Sequence, residues 1–351
     1  MRVLVTGQHG YIGSVLMPLL VAQGHDCVGL DSDLFERCTF GGEPVESGWR
    51  SLRRDLREVS KDELAGFDAV IHLAALSNDP LGDLDADLTY DINLHGSLRL
   101  ARLAKEVGVG RFVFSSSCSN YGAAGDSILD ENGKLSPITP YAVSKVKLEA
   151  ALAELADERF APVFLRNATA YGASPRLRLD LVLNNLVGWG LTTGKIVLLS
   201  DGTPWRPIVH VEDICRAAIL MLNATPETIR AQAFNVVPEG ENYRIRDLAA
   251  IVGELLPECE VKIADGATAD PRNYRVSGAK LLATFPEFRY RWTARQGAAE
   301  LVAAYRAAGM SHADFDGPRY KRLAWLRGLL DSGALASDLR WRTADVVALP
   351  A

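Results

Sequence analysis

At 351 residues, with 48% hydrophobic and 23% charged residues, the chain has the make-up of a soluble globular protein, long enough for two domains or one large domain with an appended lobe. A formal net charge of -6 gives no basic footprint for nucleic acid, and no stretch approaches the uninterrupted apolar length of a membrane helix. The five cysteines, Cys27, Cys38, Cys118, Cys215 and Cys259, are widely spaced without a C-x-x-C pair, so most are expected to be buried small hydrophobes and none a metal ligand. The first strand opens at Arg2 and leaves no room ahead of it for a leader, so the expected compartment is the cytoplasm.

The first thirty-one residues read as a strand (2–5), a glycine turn, a helix (12–20) and a second strand ending at Asp31. The turn has the spacing G-x-x-G-x-x-G. Gly7 can make the tight turn, Gly10 lets backbone approach a pyrophosphate, and Gly13 lets the helix pack closely, so an anion can sit at the helix N-terminus. A bare glycine triplet would say little; its place between strand and helix makes it a dinucleotide site. Asp31, at the end of the second strand, can accept hydrogen bonds from an adenosine ribose and would repel a 2′-phosphate, which favours NAD over NADP.

Strand and helix candidates then alternate through 69–73, 88–107, 111–116, 141–155 and 161–166, which implies a doubly wound parallel sheet. The apolar runs 70–73 and 112–114 look buried on both faces, with ligands expected just beyond their C-terminal ends. After Gly172 the alternation weakens: a helix at 179–189, a strand at 196–200 and a turn at 201–204 open a second lobe. Residues 208–223 return to the main domain as strand edge and helix, 233–237 add a strand, and the chain from Tyr243 is mixed helix and loop. The predicted architecture is thus α/β, with residues 1–172 plus about 207–237 binding the dinucleotide and about 173–206 and 238–351 forming a smaller mixed α/β lobe with a helical tail. In that tail Phe315, Tyr320, Leu323, Leu326 and Leu330 recur at helical spacing beside Arg319, Lys321, Arg322 and Arg327. The expectation is an amphipathic helix on the small lobe with a solvated basic face.

Tyr141 and Lys145 lie four residues apart on the 141–155 helix, hence on one face, where an ammonium near the phenol favours phenolate and draws Tyr141 towards use as a general base. Ser115 to Gly122 follow the 111–114 strand and place hydroxyls, Ser117 among them, at the carboxyl edge of the sheet. Either signal alone is weak. Together they point to substrate chemistry beside the dinucleotide.

With these motifs the chain resembles the extended short-chain dehydrogenase/reductase family, the NAD-dependent nucleotide-sugar epimerases and dehydratases. The resemblance spans roughly 1–290 and rests on Thr6–Gly13, Asp31, Arg54-Asp55-Leu56, His72 to Ala75, Asn93 ahead of Gly96-Ser97, the triple serine before Tyr121-Gly122, Tyr141 with Lys145, and Arg206 to Asp213. It implies a Rossmann sheet, bound NAD and a nucleotide-diphosphate sugar as partner. By the same resemblance Tyr11, Ile12, Asp55, Leu56, Leu73, Ala74, Ala75, Asn93, Ser115, Tyr141 and Lys145 join Gly7, Gly10, Gly13 and Asp31 around the cofactor. Ser117, Tyr141 and Lys145 form the catalytic triad; Ser117, Cys118, Ser119 and Thr169 face the sugar; Asn185, Leu186, Arg206 and Arg272 hold the nucleotide diphosphate, with Arg275 competing for the last place. Homodimerisation through the helices at 91–107 and 141–155 is a further implication.

Family members share a first step, in which the tyrosine removes a sugar hydroxyl proton while hydride passes to NAD to leave a 4-keto sugar. A 4,6-dehydratase resembling the hexose enzymes would carry an Asp-Glu pair directly after the catalytic hydroxyl, where this chain has Cys118 and Ser119. Epimerisation at C4 needs no further acid or base, so a 4-epimerase is the leading expectation; a net 4-ketoreductase is the alternative, ahead of a dehydratase or a non-catalytic NAD-binding protein. Thr169 stands where the family usually has asparagine, and the loop 76–82 is unlike that of simple galactose epimerases. Cys118 is either a proton carrier, as nearby cysteines are in 3,5-epimerising relatives, or a buried structural thiol, the reading favoured by its offset of one residue from theirs.

Overall fold

The computed structural model of the protein describes residues 1–42, 48–82, 84–122, 127–268 and 273–342. Seven strands pair in parallel in the order Gln232–Val236, Ala161–Asn167, Arg111–Ser117, Ala69–His72, Arg2–Thr6, Asp26–Asp31, Trp49–Arg53. The chain starts at Arg2–Thr6, winds outward to Trp49–Arg53, then restarts on the other side at Ala69–His72. The crevice beyond Thr6 and His72 is therefore the topological switch point at which α/β sheets bind ligands. The strands Ala69–His72 and Ala161–Asn167 are buried at every position, as strands covered by helices on both faces must be.

One face of the sheet packs on Leu16, Met17 and Leu20 of helix Gly13–Ala22 and on Ile214, Ala218 and Met221 of helix Val211–Asn223. The other packs on Leu100 and Ala104 of helix Ser97–Glu106 and on Leu148 and Leu152 of helix Pro140–Leu155. Ahead of Ser97 the helix predicted at 88–107 is interrupted: Ala86–Tyr90 passes into a π-helical stretch, Asp91–Gly96. The smaller lobe is built on helices Val182–Thr193, Ile245–Leu255 and Ala294–Ala307. Strand Trp205–His210 joins it to the rest, pairing with Thr169–Tyr171 and with Asn242–Arg244.

The tail departs from its expected place. Phe315 and Tyr320 do pack with the small-lobe core, but helix Arg322–Asp331 turns Trp325, Leu326 and Leu329 onto Cys38, Leu56, Leu76 and Leu81, which belong to the loops bordering the switch point. Its basic face is not solvated throughout. Arg322 is 2% exposed, with its Nη2 donating to the Arg176 carbonyl at 2.9 Å, because the helix closes over the cleft mouth and not over the lobe's outer surface. The Trp325 indole donates to the Leu34 carbonyl at 2.8 Å and the Trp341 indole to that of Ser32 at 2.6 Å, so the tail holds the loop that follows Asp31.

Candidate active site

The glycine turn is compressed onto the neighbouring strand end. Gly7 has φ +76°, and a Cβ there would stand 2.7 Å from the Ala74 nitrogen, while one on Gly13 would stand 2.2 Å from the Gly7 carbonyl oxygen. Helix Gly13–Ala22 begins with no side-chain cap, so backbone alone faces the cleft at its N-terminus, where a phosphate binds best. Asp31 accepts from the backbone N–H of His9 at 3.0 Å and of Asp33 at 2.9 Å, and each carboxylate oxygen keeps a further lone pair for a ribose hydroxyl. A side-chain-free cradle followed by a ribose acceptor fits NAD. Asp55 and Leu56 line the same end; burial alone would push the Asp55 carboxyl up, but hydrogen bonds and charge from Arg57 outweigh it and hold the group below its ordinary value.

The chemistry-bearing groups converge at the far end of the cleft. Ser117 closes strand Arg111–Ser117, and Tyr141 and Lys145 stand on helix Pro140–Leu155, which Thr139 caps by accepting from the Ala142 N–H at 3.2 Å. Tyr141 hydrogen-bonds Ser117, and Lys145 Nζ donates to the Ser115 carbonyl at 2.7 Å while lying 5.6 Å from the centre of the Tyr141 ring. Burial pushes Lys145 down to about 7, partly opposed by Glu149. Burial likewise pushes Tyr141 up to about 12, with the Ser117 hydrogen bond and Arg178 pulling down and Asp79 pushing up. The expected lowering by Lys145 is thus not what the protein alone imposes: its ammonium is spent on a backbone carbonyl, and loss of water dominates the phenol.

Behind this pair a buried network fixes the strand ends. Glu149 accepts from Ser116, from Asn120 Nδ2 at 3.0 Å and from Arg166 Nη2 at 2.7 Å, and Arg166 Nη1 donates to the Tyr121 hydroxyl at 3.1 Å. Asn167, paired in register with Ser117, donates to Ser115 Oγ at 3.0 Å.

A single cleft of about 1210 Å³ contains both ends, and Thr169, Asn185, Leu186 and Arg206 line it with Ser117 and Ser119. That exceeds an ordinary single-ligand pocket of about 300–1,000 Å³ and leaves space for a second ligand beside the dinucleotide. Arg206 is 8% exposed, and its Nη1 donates to the Trp205 carbonyl at 2.8 Å.

Two expected contacts lie behind the wall. Cys118 falls on the core side of the turn after Ser117, 1% exposed, its thiol donating to the Arg166 carbonyl at 3.1 Å and its pKa raised by burial, which makes it a structural thiol. Asn93 is 2% exposed and bonds Leu76 at both backbone atoms, at 2.8 and 3.0 Å, so it anchors the loop after Ala75 instead of touching a ligand. Arg272 lies outside the described residues; Arg275 sits over the Trp205 ring at 5.0 Å and is not among the described residues that line the cleft. Sequence reasoning missed Asp79, Arg178, Asp180 and Arg322, all on the cleft wall. Their signals were an ordinary loop, an Arg-x-Asp pair and a basic run, none specific without the fold.

A parallel sheet with a glycine-cradled dinucleotide site, an acidic ribose acceptor and a Ser-Tyr-Lys set over one cleft defines an NAD-dependent enzyme of the extended short-chain dehydrogenase/reductase class. The chain belongs to the NAD dependent epimerase/dehydratase family, whose family model matches residues 3–236. It is 32% identical over 255 residues to a UDP-glucose 4-epimerase of Lactobacillus helveticus, covering 67% of this chain and 76% of that one. Among solved structures it resembles MoeE5 in complex with UDP-glucose and NAD, at 26% identity and TM-score 0.76 over 88% of this chain and 100% of that one. It also resembles DesIV, a dTDP-glucose 4,6-dehydratase from Streptomyces venezuelae with NAD bound, at 26% identity and TM-score 0.76 over 91% and 100%. NAD is the cofactor of this family, and the cradle described above fits it.

Proposed function

We propose that the chain is a nucleotide-sugar epimerase that inverts C4 through a transient 4-keto sugar, holding NAD throughout. The observation that carries this reading is the site's chemistry: Ser117, Tyr141 and Lys145 meet at the cleft, while the two positions after Ser117 are a buried thiol and a hydroxyl. The acids elsewhere on the wall are engaged, Asp79 by Thr139 at 2.7 Å and Asp180 by Arg178 at 2.7 Å. Bound NAD supplies a hydride acceptor and later the donor. Tyr141 takes the proton of the sugar hydroxyl and returns it, Ser117 hydrogen-bonds the oxygen at the reacting carbon, and Lys145 holds charge beside them.

Arg206, Asn185, Leu186 and Thr169 are the proposed contacts for the nucleotide diphosphate and sugar. Residues 1–172 with about 207–237 are assigned to the cofactor domain and about 173–206 with 238–351 to the lobe that holds the nucleotide sugar, with tail helix Arg322–Asp331 reaching across to the loops at the switch point. The similarity to a UDP-glucose 4-epimerase makes UDP-hexoses the first substrates to try. The purified protein should interconvert a C4-epimeric pair of UDP-sugars without added NADH; strict stoichiometric NADH consumption would instead make it a ketoreductase. We also propose a cytoplasmic homodimer paired through helices Ser97–Glu106 and Pro140–Leu155. Among the described residues no helix is long and apolar enough to cross a membrane, and sedimentation at a monomer mass would exclude the dimer.

A further inference from the structure

Three arginine side chains are buried together where the tail meets the cleft: Arg176, Arg178 and Arg322 are 3%, 7% and 2% exposed. The charged groups acting on Arg322 are Arg176, Arg178 and Asp180, with the Cys38 thiol beside it, and burial holds that thiol protonated by pushing it up to about 11. Asp180 is already in a two-pronged pair with Arg178, at 3.0 and 2.7 Å. Among the described residues one carboxylate stands against three guanidiniums, which leaves two buried positive charges there without a counter-charge. The nitrogens show the same deficit: Arg322 Nη1 and Arg176 Nε are buried without a hydrogen-bond partner. Burying an ion unpaired costs several kcal/mol in real proteins, so a ligand with two negative charges is what this wall is built to receive.

Arg178 and Arg322 both line the cleft. The segment carrying Arg176 and Arg178 is fastened to the glycine turn itself: the Tyr11 hydroxyl donates to the Gly172 carbonyl at 2.7 Å, Ser174 Oγ donates to the Tyr11 carbonyl at 2.8 Å, and Ser14 and Ser174 hydroxyls meet at 3.0 Å. The arginines therefore stand beside the cradle where the cofactor's diphosphate binds, and that group carries two negative charges. A nucleotide sugar carries a diphosphate too, but its proposed contacts, Asn185 and Arg206, are on other elements. The planar fork of arginine suits phosphate oxygens taken in pairs.

We propose that Arg178 and Arg322 bind the diphosphate of NAD, so that the C-terminal tail, through Arg322, completes the cofactor site. This rests on the cofactor and not on the reaction at C4, and it is tested with no sugar present. NAD-free protein is titrated calorimetrically with NAD, ADP-ribose and adenosine. Arg322→Met and Arg178→Met should each weaken NAD and ADP-ribose about tenfold or more, as expected for losing a charged hydrogen bond, while adenosine stays within about twofold. Equal weakening of all three ligands, or of none, overturns the proposal. A variant that melts lower without NAD yet keeps the full NAD-induced rise in Tm marks a purely structural arginine and overturns it as well. Where the methionine variant does not fold, Arg322→Lys keeps the charge and loses the fork: selective loss of ADP-ribose affinity supports the proposal, and equal loss of adenosine affinity overturns it.

Discussion

Burial acts in opposite directions on neighbouring groups, lifting the Tyr141 phenol to about 12 and lowering the Lys145 ammonium to about 7. Both shifts favour the neutral form, so the phenol begins protonated and needs charge from a bound ligand to be drawn towards use as a base. Tyr141→Phe keeps the ring and removes the proton-carrying atom; turnover of the sugar should fall by about a hundredfold or more while NAD affinity is retained, as measured by a coupled assay and a cofactor titration. Unchanged turnover removes Tyr141 from the mechanism. His72 gives a pH test that is independent of catalysis. It lies between Thr6 Oγ1 and Ser97 Oγ at 2.7 and 2.8 Å, and burial lowers its pKa from 6.5 to about 3. Between those values the unfolded chain binds a proton that the folded chain does not, so stability rises with pH there and is lost as pH falls below 6.5. At pH 5 the cost is ~2 kcal/mol relative to pH 7.5. Urea unfolding of wild type and His72→Gln at both pH values should show that extra loss only with the histidine; parallel losses would mean the ring is not kept neutral.

Helix Pro140–Leu155 does more than carry the Tyr-Lys pair. Glu149 is one turn beyond Lys145 on the same face, and there it gathers Ser116, Asn120 and Arg166 into the network that fixes the strand ends at the site. Glu149→Ala leaves the Arg166 charge, 6% exposed, without its carboxylate, and should destabilise the protein by ~3–5 kcal/mol in urea unfolding. A loss below ~1 kcal/mol would show that water reaches the site and that the network is not buried in solution. The i, i+4 spacing made the Tyr-Lys face legible, whereas Glu149 is legible only once Arg166 is placed on the adjoining strand. Buried strands were legible for the same kind of reason: 70–73 and 112–114 are short apolar runs of the kind that a sheet covered on both faces accommodates. Trp49–Arg53 was not, because an edge strand with exposed polar positions carries no apolar run. The parallel pair of Lys195–Ser200 with Glu260–Thr268 joins segments too far apart in sequence for a local pattern to reveal. The π-helical stretch at Asp91–Gly96 also escaped, and the bonds that Asn93 within it makes to the Leu76 backbone are tertiary contacts that no local pattern announces.

Across the whole molecule, the legible part of the site is the part written in contiguous motifs, the glycine turn and the Ser-Tyr-Lys set, while the arginine wall is assembled from a loop and a tail whose residues are more than 140 positions apart, as the 146-residue separation of Arg176 and Arg322 shows. The tail's basic residues looked like a solvated face because sequence period reports that a helix is amphipathic and not which surface it covers. Its position couples it to the cofactor. Trp325 and Trp341 hold the loop after Asp31, Arg57 donates to the Asp338 carbonyl at 2.9 Å beside Asp55, and Leu339 lines the cleft. If opening the tail dismantles these contacts, NAD binds the closed form and must stabilise it by mass action, and the tail must in turn hold NAD. Amides of helix Arg322–Asp331 should then exchange with solvent more slowly when NAD is added, by up to about a hundredfold at a hundred times Kd. Helix Ala294–Ala307, which packs in the small-lobe core and contributes no residue to the cleft lining, serves as the internal reference. Equal protection of the two helices would mean that NAD stabilises only global folding, and no protection of the tail would mean that it opens without disturbing the cofactor.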